Sequence, residues 1–274
     1  MTEPSLELRA RTLRAALSRR APARRAPGFA RPYAAVVAML DVLLADLDEP
    51  EWTSAAAGEW DARDLVAHLY ASDGLLADAI AGTTSSAQDV PARTAEAVGR
   101  RLPLRETRLE WRRQANALCD AMGEIDADRR LEVGGFRLCI GDHFTARAFE
   151  TWVHTDDIGR ATDRDVPPPL AEHVHPMADL GARGLPVALA LIGRDHPDRV
   201  LRLILDGPGG GQWTVPLGTA ATGDAPDAQV RMDVAEFCFL AGGRRDPETV
   251  RAETSGDPAV ARDVLVAASF FSGP

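Results

Sequence analysis

The sequence predicts an α+β protein with a helical N-terminal part and a smaller mixed C-terminal part. Between residues 33 and 161, apolar side chains recur mainly at three- and four-residue spacing, which is typical of amphipathic helices. After the proline run at 167–169, the pattern changes to strand-like segments separated by glycine-rich turns. The predicted domains are an arginine-rich extension at residues 1–31, a four-helix bundle at 32–165 and a small α+β domain at 170–274.

Four helices are predicted in the N-terminal part. The first covers 33–47, and the second follows Asp61, whose side chain can cap a helix that carries His68 on its apolar face. A polar stretch from Gly82 is predicted to be a loop. The third helix covers about 105–122, and the fourth runs from a cap at Asp142 to about residue 161. Four helices in so short a stretch predict an antiparallel bundle.

The C-terminal part is predicted to contain a β-hairpin, a third strand and two helices. The hairpin strands flank a glycine-rich turn, and both are rich in β-branched and other apolar residues. His173 and His175 follow the proline run and are predicted to lie in an exposed loop. The predicted strands are 200–205, 212–217 and 229–232, and the predicted helices are 234–240 and 258–268.

Composition limits the partners of the chain. Its 274 residues have a net charge of −10 and a pI near 5.1, and an acidic surface repels nucleic-acid phosphates and anionic lipid. No apolar run approaches the 18 residues of a membrane span, and no signal-peptide core is evident. The three cysteines lack metal-site or redox spacing and favour a reducing compartment. We therefore expect a cytoplasmic protein without a nucleic-acid or membrane partner.

The first 31 residues contain eight arginines and two glutamates, whereas the remainder is strongly acidic. Two interpretations are open. The extension is either a basic arm for a partner or an anionic ligand, or a solvated segment with a short amphipathic helix near residues 6–17. The second is the simpler.

Three side chains form a candidate metal site. Glu150 and His154 are four residues apart, which places them about 6 Å apart along one face of a helix. His68 lies on a helix face that the bundle would turn inward. Two histidines and a carboxylate suit a catalytic Zn²⁺ with an open position, or a non-haem Fe²⁺. The same residues also fit a purely structural role, because single core histidines and Glu-His pairs are common without a metal.

Three further residues, His143, Arg147 and Asp157, share the helix face of Glu150 and His154. His143 lies about 10 Å below Glu150 along the axis, too far to join it on one ion. Asp157 lies about one turn beyond His154 and could orient its ring, face the substrate, or form a solvated pair with a nearby arginine.

These motifs resemble the mycothiol-dependent maleylpyruvate isomerase family. The resemblance rests on WDARDLVAHL at 60–69 and ETWVHTDD at 150–157, with LAGGRR at 240–245 and SGDPA at 255–259 in the second domain. It implies a DinB-like metal-binding bundle followed by a sterol-carrier-like domain. It also implies that His68, Glu150 and His154 bind a divalent metal, expected to be zinc. Asp157 matches the family's carboxylate, and Arg244 is the best candidate for an arginine that binds substrate.

The resemblance implies mycothiol, a sugar-linked low-molecular-weight thiol, as cosubstrate. A metal with an open position lowers the pKa of a bound thiol, so that a thiolate can attack an electrophilic small molecule. Cis-trans isomerisation, S-conjugation, and S-transfer or thiol exchange on a biosynthetic intermediate share this step. A non-catalytic ligand-binding protein with a structural metal is the alternative outside enzymes. Cys119, Cys139 and Cys238 lie outside the motif and are predicted to be buried small residues.

Overall fold

The computed structural model of the protein describes residues 23–123, 125–221 and 225–271. The first 22 residues, with the short helix expected near 6–17, lie outside the described residues. The chain forms two compact units that divide between Pro167 and Pro168.

From residue 23 onward, the described part of the first unit contains four long helices, two short ones and two small β-hairpins. A 3₁₀ turn at Gly28–Ala30 precedes the first helix. The helices are α1 (Arg31–Asp46), α2 (Glu49–Trp52), α3 (Ala62–Ile80), α4 (Asp89–Gly99), α5 (Leu104–Asp120) and α6 (Ile140–Ala161). The strands are β1 (Ala55–Ala57), β2 (Trp60–Asp61), β3 (Arg130–Val133) and β4 (Phe136–Cys139).

The four long helices pack in a closed ring. Helix α1 contacts α5 and α6, and α3 contacts the same two helices from the other side. Large side chains from all four helices fill the centre; Tyr33 and Trp111 are fully buried there. The Tyr33 ring meets that of Phe144 edge to face, with ring centres 5.6 Å apart. This packing of α1 on α6 brings the polar face of α6 into the interior, where the candidate metal residues lie.

The starts of α3 and α6 are set by different caps. The Asp61 carboxylate accepts a hydrogen bond from the Asp64 amide at 2.9 Å, as the sequence predicts. The prediction of Asp142 as the cap of α6 is wrong. Strand β4 leads directly into the helix, and the Cys139 sulfur accepts from the Asp142 amide at 3.4 Å. Asp142 lies in the first turn, where a carboxylate complements the helix dipole.

Helix α4 lies within a stretch for which no helix was predicted. The polar loop expected from Gly82 is present up to Gln88, but Asp89–Gly99 is helical and packs on α3. Among the side chains of α4, that of Thr94 is the buried one. The apolar residues of α4 are few and small, and they follow a polar stretch, so the helical spacing in this segment was overlooked.

The second unit packs helices against a four-stranded sheet. Its helices are α7 (Ala171–Leu191), α8 (Val234–Ala241) and α9 (Pro258–Ala268), followed by a 3₁₀ turn at Ser269–Phe271. Its strands are β5 (Val200–Asp206), β6 (Gly211–Pro216), β7 (Ala228–Asp233) and β8 (Glu253–Gly256), in the spatial order β6-β5-β7-β8.

The predicted hairpin is present in this sheet. Strands β5 and β6 are antiparallel, with Leu203 opposite Trp213. The turn between them contains Gly207 and Gly209 at φ values of +100° and +89°, which residues other than glycine rarely adopt. The third predicted strand is β7, which runs parallel to β5. Both predicted helices are also present, as α8 and α9.

Two elements of the second unit, helix α7 and strand β8, were not predicted from the sequence. The exposed loop predicted for His173 and His175 is wrong, because both residues lie in the first two turns of α7. Pro176 and Pro186 lie inside α7, and internal prolines normally argue against a helix. Strand β8 was also missed, because all four of its residues are exposed and show no alternation.

The α+β fold class, with a helical N-terminal region, is confirmed.

One described segment has the length and composition of a membrane span, which the sequence analysis did not expect. Gly28–Asp46 is long and apolar enough by length and composition, but 56% of its most apolar window is buried inside the protein. Such burial is also typical of a core helix, and α1 packs on α5 and α6.

Candidate metal centre

His68, Glu150 and His154 meet in the first unit. One potential ligand atom from each lies within 4.8 Å of the others. Nε2 of His68 contacts Oε1 of Glu150, and the two imidazole rings are nearly perpendicular, with centres 5.5 Å apart. The structure therefore brings together the three residues that the sequence analysis selected from two separate helices.

The positions of these side chains follow from helix geometry and packing. Glu150 and His154 are one turn apart on α6, so they share a face. Helix α3 contacts α6 and presents His68 toward that face. The two histidines are buried, each 8% exposed, whereas the Glu150 side chain is 31% exposed. The cluster is thus mostly shielded, with its carboxylate nearest to solvent.

Protein groups contact the outer nitrogen of each imidazole. Nδ1 of His68 lies 3.0 Å from the Thr94 hydroxyl, and Nδ1 of His154 lies 3.1 Å from the Asp157 carboxylate. The Asp157 carboxylate accepts from Nδ1–H of His154. The Thr94 hydroxyl is able to accept from Nδ1–H of His68. In this tautomer Nε2 is the nitrogen that each ring can offer to an ion. The Trp60 ring packs beside His68, with ring centres 5.2 Å apart.

A buried chain of polar groups supports Glu150. Nη1 of Arg147 donates to Oε2 of Glu150, while Nε of Arg147 donates to Asp73 at 2.8 Å. The Tyr33 hydroxyl donates to the other oxygen of Asp73 at 2.7 Å. Tyr33 and Asp73 are fully buried and Arg147 nearly so. The chain links α1, α3 and α6 directly behind the candidate ligand.

The electrostatics favour the protonation states that a metal site requires. Burial by itself would raise the pKa of Glu150, but Arg147 and the two histidines hold that pKa well below its usual range. Burial lowers the pKa of His154 against the opposing effect of Asp157. A carboxylate that stays ionised and an imidazole that stays neutral are both ready to coordinate a cation.

The donor set fits a divalent cation. Two imidazoles and one carboxylate oxygen match the ligands of catalytic zinc and of non-haem iron(II) sites. Oε2 of Glu150 is engaged by Arg147, so Oε1 is the oxygen that faces His68. The hydrogen-bonded Nδ1 atoms supply the outer contacts that metal-bound histidines typically make.

The structure places the other predicted site residues as follows. Asp157 is buried next to His154 and also lies 3.4 Å from Nη2 of Arg160, so two of its three expected roles have geometric support. His143 lies outside the cluster; its ring is buried and its Nε2 lies 3.1 Å from the Leu131 carbonyl oxygen. Arg244 belongs to the second unit, where its guanidinium donates to the Gly242 carbonyl oxygen. Its substrate role stays a prediction.

The cysteines lie outside the cluster. Cys119 and Cys238 are buried, and burial raises the pKa of each thiol to about 12. These two match the prediction of buried small residues, whereas Cys139 is only half buried and caps α6. A nucleophilic thiol in this site would therefore come from outside the protein.

Sequence analysis assigned no role to the residues that surround the donors. Helical spacing placed Arg147 on the same face of α6 as Glu150, but its contacts with Glu150 and Asp73 were not predicted. Asp73 was visible as a charge in a largely apolar helix, a pattern that predicts a buried partner. Thr94 offered no signal, because its helix was not predicted.

A four-helix arrangement that brings two histidines and a glutamate together is typical of helical bundles with a metal site. Residues 33–159 match the family model of the mycothiol maleylpyruvate isomerase N-terminal domain. This segment is therefore similar to the N-terminal domain of that family, in agreement with the resemblance of its motifs.

Two relatives are uncharacterized proteins from two strains of Mycobacterium tuberculosis. Each is 26% identical over 248 residues, which cover 86% of this chain and 91% of the relative. The fold is similar to the crystal structure of the mycothiol-dependent maleylpyruvate isomerase, with a TM-score of 0.55 and 16% identity over 83% of this chain and 91% of that one. A histidine-to-alanine mutant of that enzyme gives a TM-score of 0.56 at 16% identity, over 82% and 91% of the two chains. At this identity the likeness shows the fold.

Proposed function

We propose that this protein is a metal-dependent enzyme that activates mycothiol for attack on an electrophilic small molecule. His68, Glu150 and His154 would hold a divalent metal, expected to be zinc. The observation that carries the proposal is the convergence of their ligand atoms within 4.8 Å. Three protein ligands are typical of catalytic zinc, whereas structural zinc usually has four.

The chemistry requires a thiolate near neutral pH. A bound divalent metal supplies it by lowering the pKa of a thiol that coordinates at an open position. The protein's own residues then have distinct tasks. Thr94 and Asp157 hold the two imidazoles in the tautomer that binds a metal through Nε2. Glu150, ionised under the influence of Arg147, supplies the negative ligand.

Cis-trans isomerisation is the reaction favoured by the family. The matching domain is named for a mycothiol-dependent maleylpyruvate isomerase, and a solved enzyme of that name shares the fold. In this reaction the thiolate adds to a conjugated double bond, the carbon–carbon bond rotates, and elimination of the same thiolate restores the double bond. S-conjugation would stop at the addition. We place the activity in the cytoplasm, where a low-molecular-weight thiol is kept reduced.

Metal analysis of purified variants tests the proposal. We expect the wild-type protein to bind about one equivalent of zinc, and His68→Ala and His154→Ala to lose it, because two protein ligands hold zinc poorly. His175→Ala is the matched control, since His175 is exposed and lies in the second unit. Full metal content in both site variants would refute the proposal.

Turnover assays separate the reactions. Mycothiol should be required for product formation, either as a catalyst that is recovered, for isomerisation, or as a reagent that is consumed, for conjugation. A wild-type protein that binds zinc but leaves mycothiol and both types of electrophile unchanged would favour the structural-metal alternative.

A further inference from the structure

The strongest unassigned feature is the buried chain from Tyr33 through Asp73 and Arg147 to Glu150. Arg147 is 7% exposed and Asp73 is fully buried, so both charges are largely removed from water. Buried charges are costly unless they are paired, and a guanidinium can pair through several nitrogens at fixed angles. Arg147 has nitrogens beyond the one that pairs with Asp73, and these can serve a second partner.

Its hydrogen bonds point to the candidate metal ligand. Nε of Arg147 already satisfies Asp73 at 2.8 Å, yet Nη1 also donates to Oε2 of Glu150. The Glu150 side chain is 31% exposed, so part of it still faces solvent. The contact therefore restrains a carboxylate that could otherwise turn toward water.

The third nitrogen strengthens this argument. Nη2 of Arg147 is buried and has no hydrogen-bond partner among the residues that the structure describes. A buried donor without a partner has a cost, and such costs concentrate at functional sites. The guanidinium is thus oriented by two specific carboxylates rather than placed where all its donors are satisfied.

We infer that Arg147 is a positioning residue that restricts Glu150 to a single metal-binding oxygen. Arg147 holds Oε2, so that Oε1 alone faces His68. This inference rests on the proposed metal site and deepens it. A carboxylate that binds through one oxygen leaves a coordination position for an external thiol, whereas a carboxylate that binds through both oxygens occupies it.

Tyr33 and Asp73 have a supporting role in this scheme. The Tyr33 hydroxyl and Nε of Arg147 bind different oxygens of Asp73, which fixes that carboxylate between α1 and α6. Asp73 in turn fixes the plane of the guanidinium.

Cobalt(II) substitution tests the inference, because the visible absorption of cobalt reports its coordination number independently of turnover. The wild-type protein and the matched control Arg231→Lys, at an exposed ion pair of the second unit, should give the intense absorption of four-coordinate cobalt. Arg147→Lys keeps a charge next to Asp73 but lacks the planar fork. We expect it to bind cobalt with the weaker absorption of a five- or six-coordinate ion.

The double variant Arg147→Met/Asp73→Asn removes both charges of the buried pair, so that neither is left unpaired if the single variant is too unstable. It should show the same loss of intensity. Wild-type absorption in either folded, cobalt-loaded Arg147 variant overturns the inference while leaving the metal site intact. A wild-type protein that takes up no cobalt or zinc overturns the proposed function and this inference together.

Discussion

The two units bury polar side chains to very different extents. Among the described residues of the first unit, fifteen polar or charged side chains are buried, and they include Asp73, Arg147 and both candidate histidine ligands. In the described part of the second unit, His173 is the one buried residue of this kind. Its core instead consists of apolar residues from β5, β7, α8 and α9, such as Leu203 and Phe237.

This difference indicates that the first unit contains interactions that serve a function and add little to stability. Buried charges contribute little to net stability, because the loss of hydration offsets their mutual attraction. A bundle of this size could be filled with apolar side chains, as the second unit's core is. The polar interior of the first unit therefore indicates a function there, and the metal residues lie within it.

The largest expected effect is on the free energy of unfolding, when a buried ion pair of the first unit is compared with an exposed ion pair of the second. Asp73→Asn leaves Arg147 buried with a single charged partner, and breaking a buried pair in this way costs about 3–5 kcal/mol. Asp206→Asn removes a pair with Arg231 in the second unit, where both side chains are 49% exposed. We expect that change to have no measurable effect, because exposed pairs are solvated in either state.

Urea unfolding of both variants, followed by far-ultraviolet circular dichroism, measures this contrast. The midpoint of the first unit's transition should fall markedly for Asp73→Asn and stay constant for Asp206→Asn. Equal shifts for the two variants would show that burial of charge does not distinguish the units.

The sequence revealed features that depend on local spacing. The four long helices of the first unit could be predicted because their apolar stripes are visible within single segments. Among the candidate metal ligands, Glu150 and His154 were selected by their i, i+4 spacing, and His68 was selected as a histidine on an apolar helix face. Asp61 could be identified as a cap for the same reason. The start of α6 was misplaced because Cys139, a rare capping residue, follows directly from a strand.

Features that depend on tertiary contacts were not predictable in this way. Thr94 reaches His68 across 26 residues, and Arg147 reaches Asp73 across 74. Their pairing depends on which helices become neighbours, which apolar spacing does not specify. Helix α7 is the opposite case. Pro176 and Pro186 lie inside it and disfavour a helix locally, yet the packing of the second unit stabilises the helix.

Thr94 offers a test of whether a polar group on α4 matters as much as one on α6. Thr94→Val keeps the shape of the side chain but removes the acceptor for Nδ1 of His68. We expect zinc affinity to fall by about 10- to 100-fold, which is typical when an outer contact of a metal-bound histidine is lost. Competition with a chromogenic chelator measures the affinity.

Thr94→Ser is the matched control, since it retains the hydroxyl and should keep most of the affinity. If Thr94→Val binds zinc as tightly as the wild-type protein, the Thr94 hydroxyl is not needed to orient His68.

The smallest expected effect concerns His143, a buried histidine of the first unit that lies outside the metal cluster. Burial lowers the pKa of His143 in the folded state, although the Leu131 carbonyl and Asp142 partly oppose this. The unfolded chain therefore takes up a proton at higher pH than the folded protein does. The contribution of His143 to stability is complete above about pH 6.5, the ordinary value for histidine, and declines as the pH falls below it.

His143→Gln keeps a hydrogen-bonding side chain near the Leu131 carbonyl oxygen but does not titrate. We expect the difference in unfolding free energy between wild type and variant to shrink as the pH is lowered from 7.5 to about 5.5, because only the wild type loses this contribution. Urea unfolding of the metal-free proteins at several pH values measures that difference. His175→Gln, at an exposed position of the second unit, is the control substitution. A constant difference for His143→Gln would show that this buried histidine does not make the first unit more sensitive to acid.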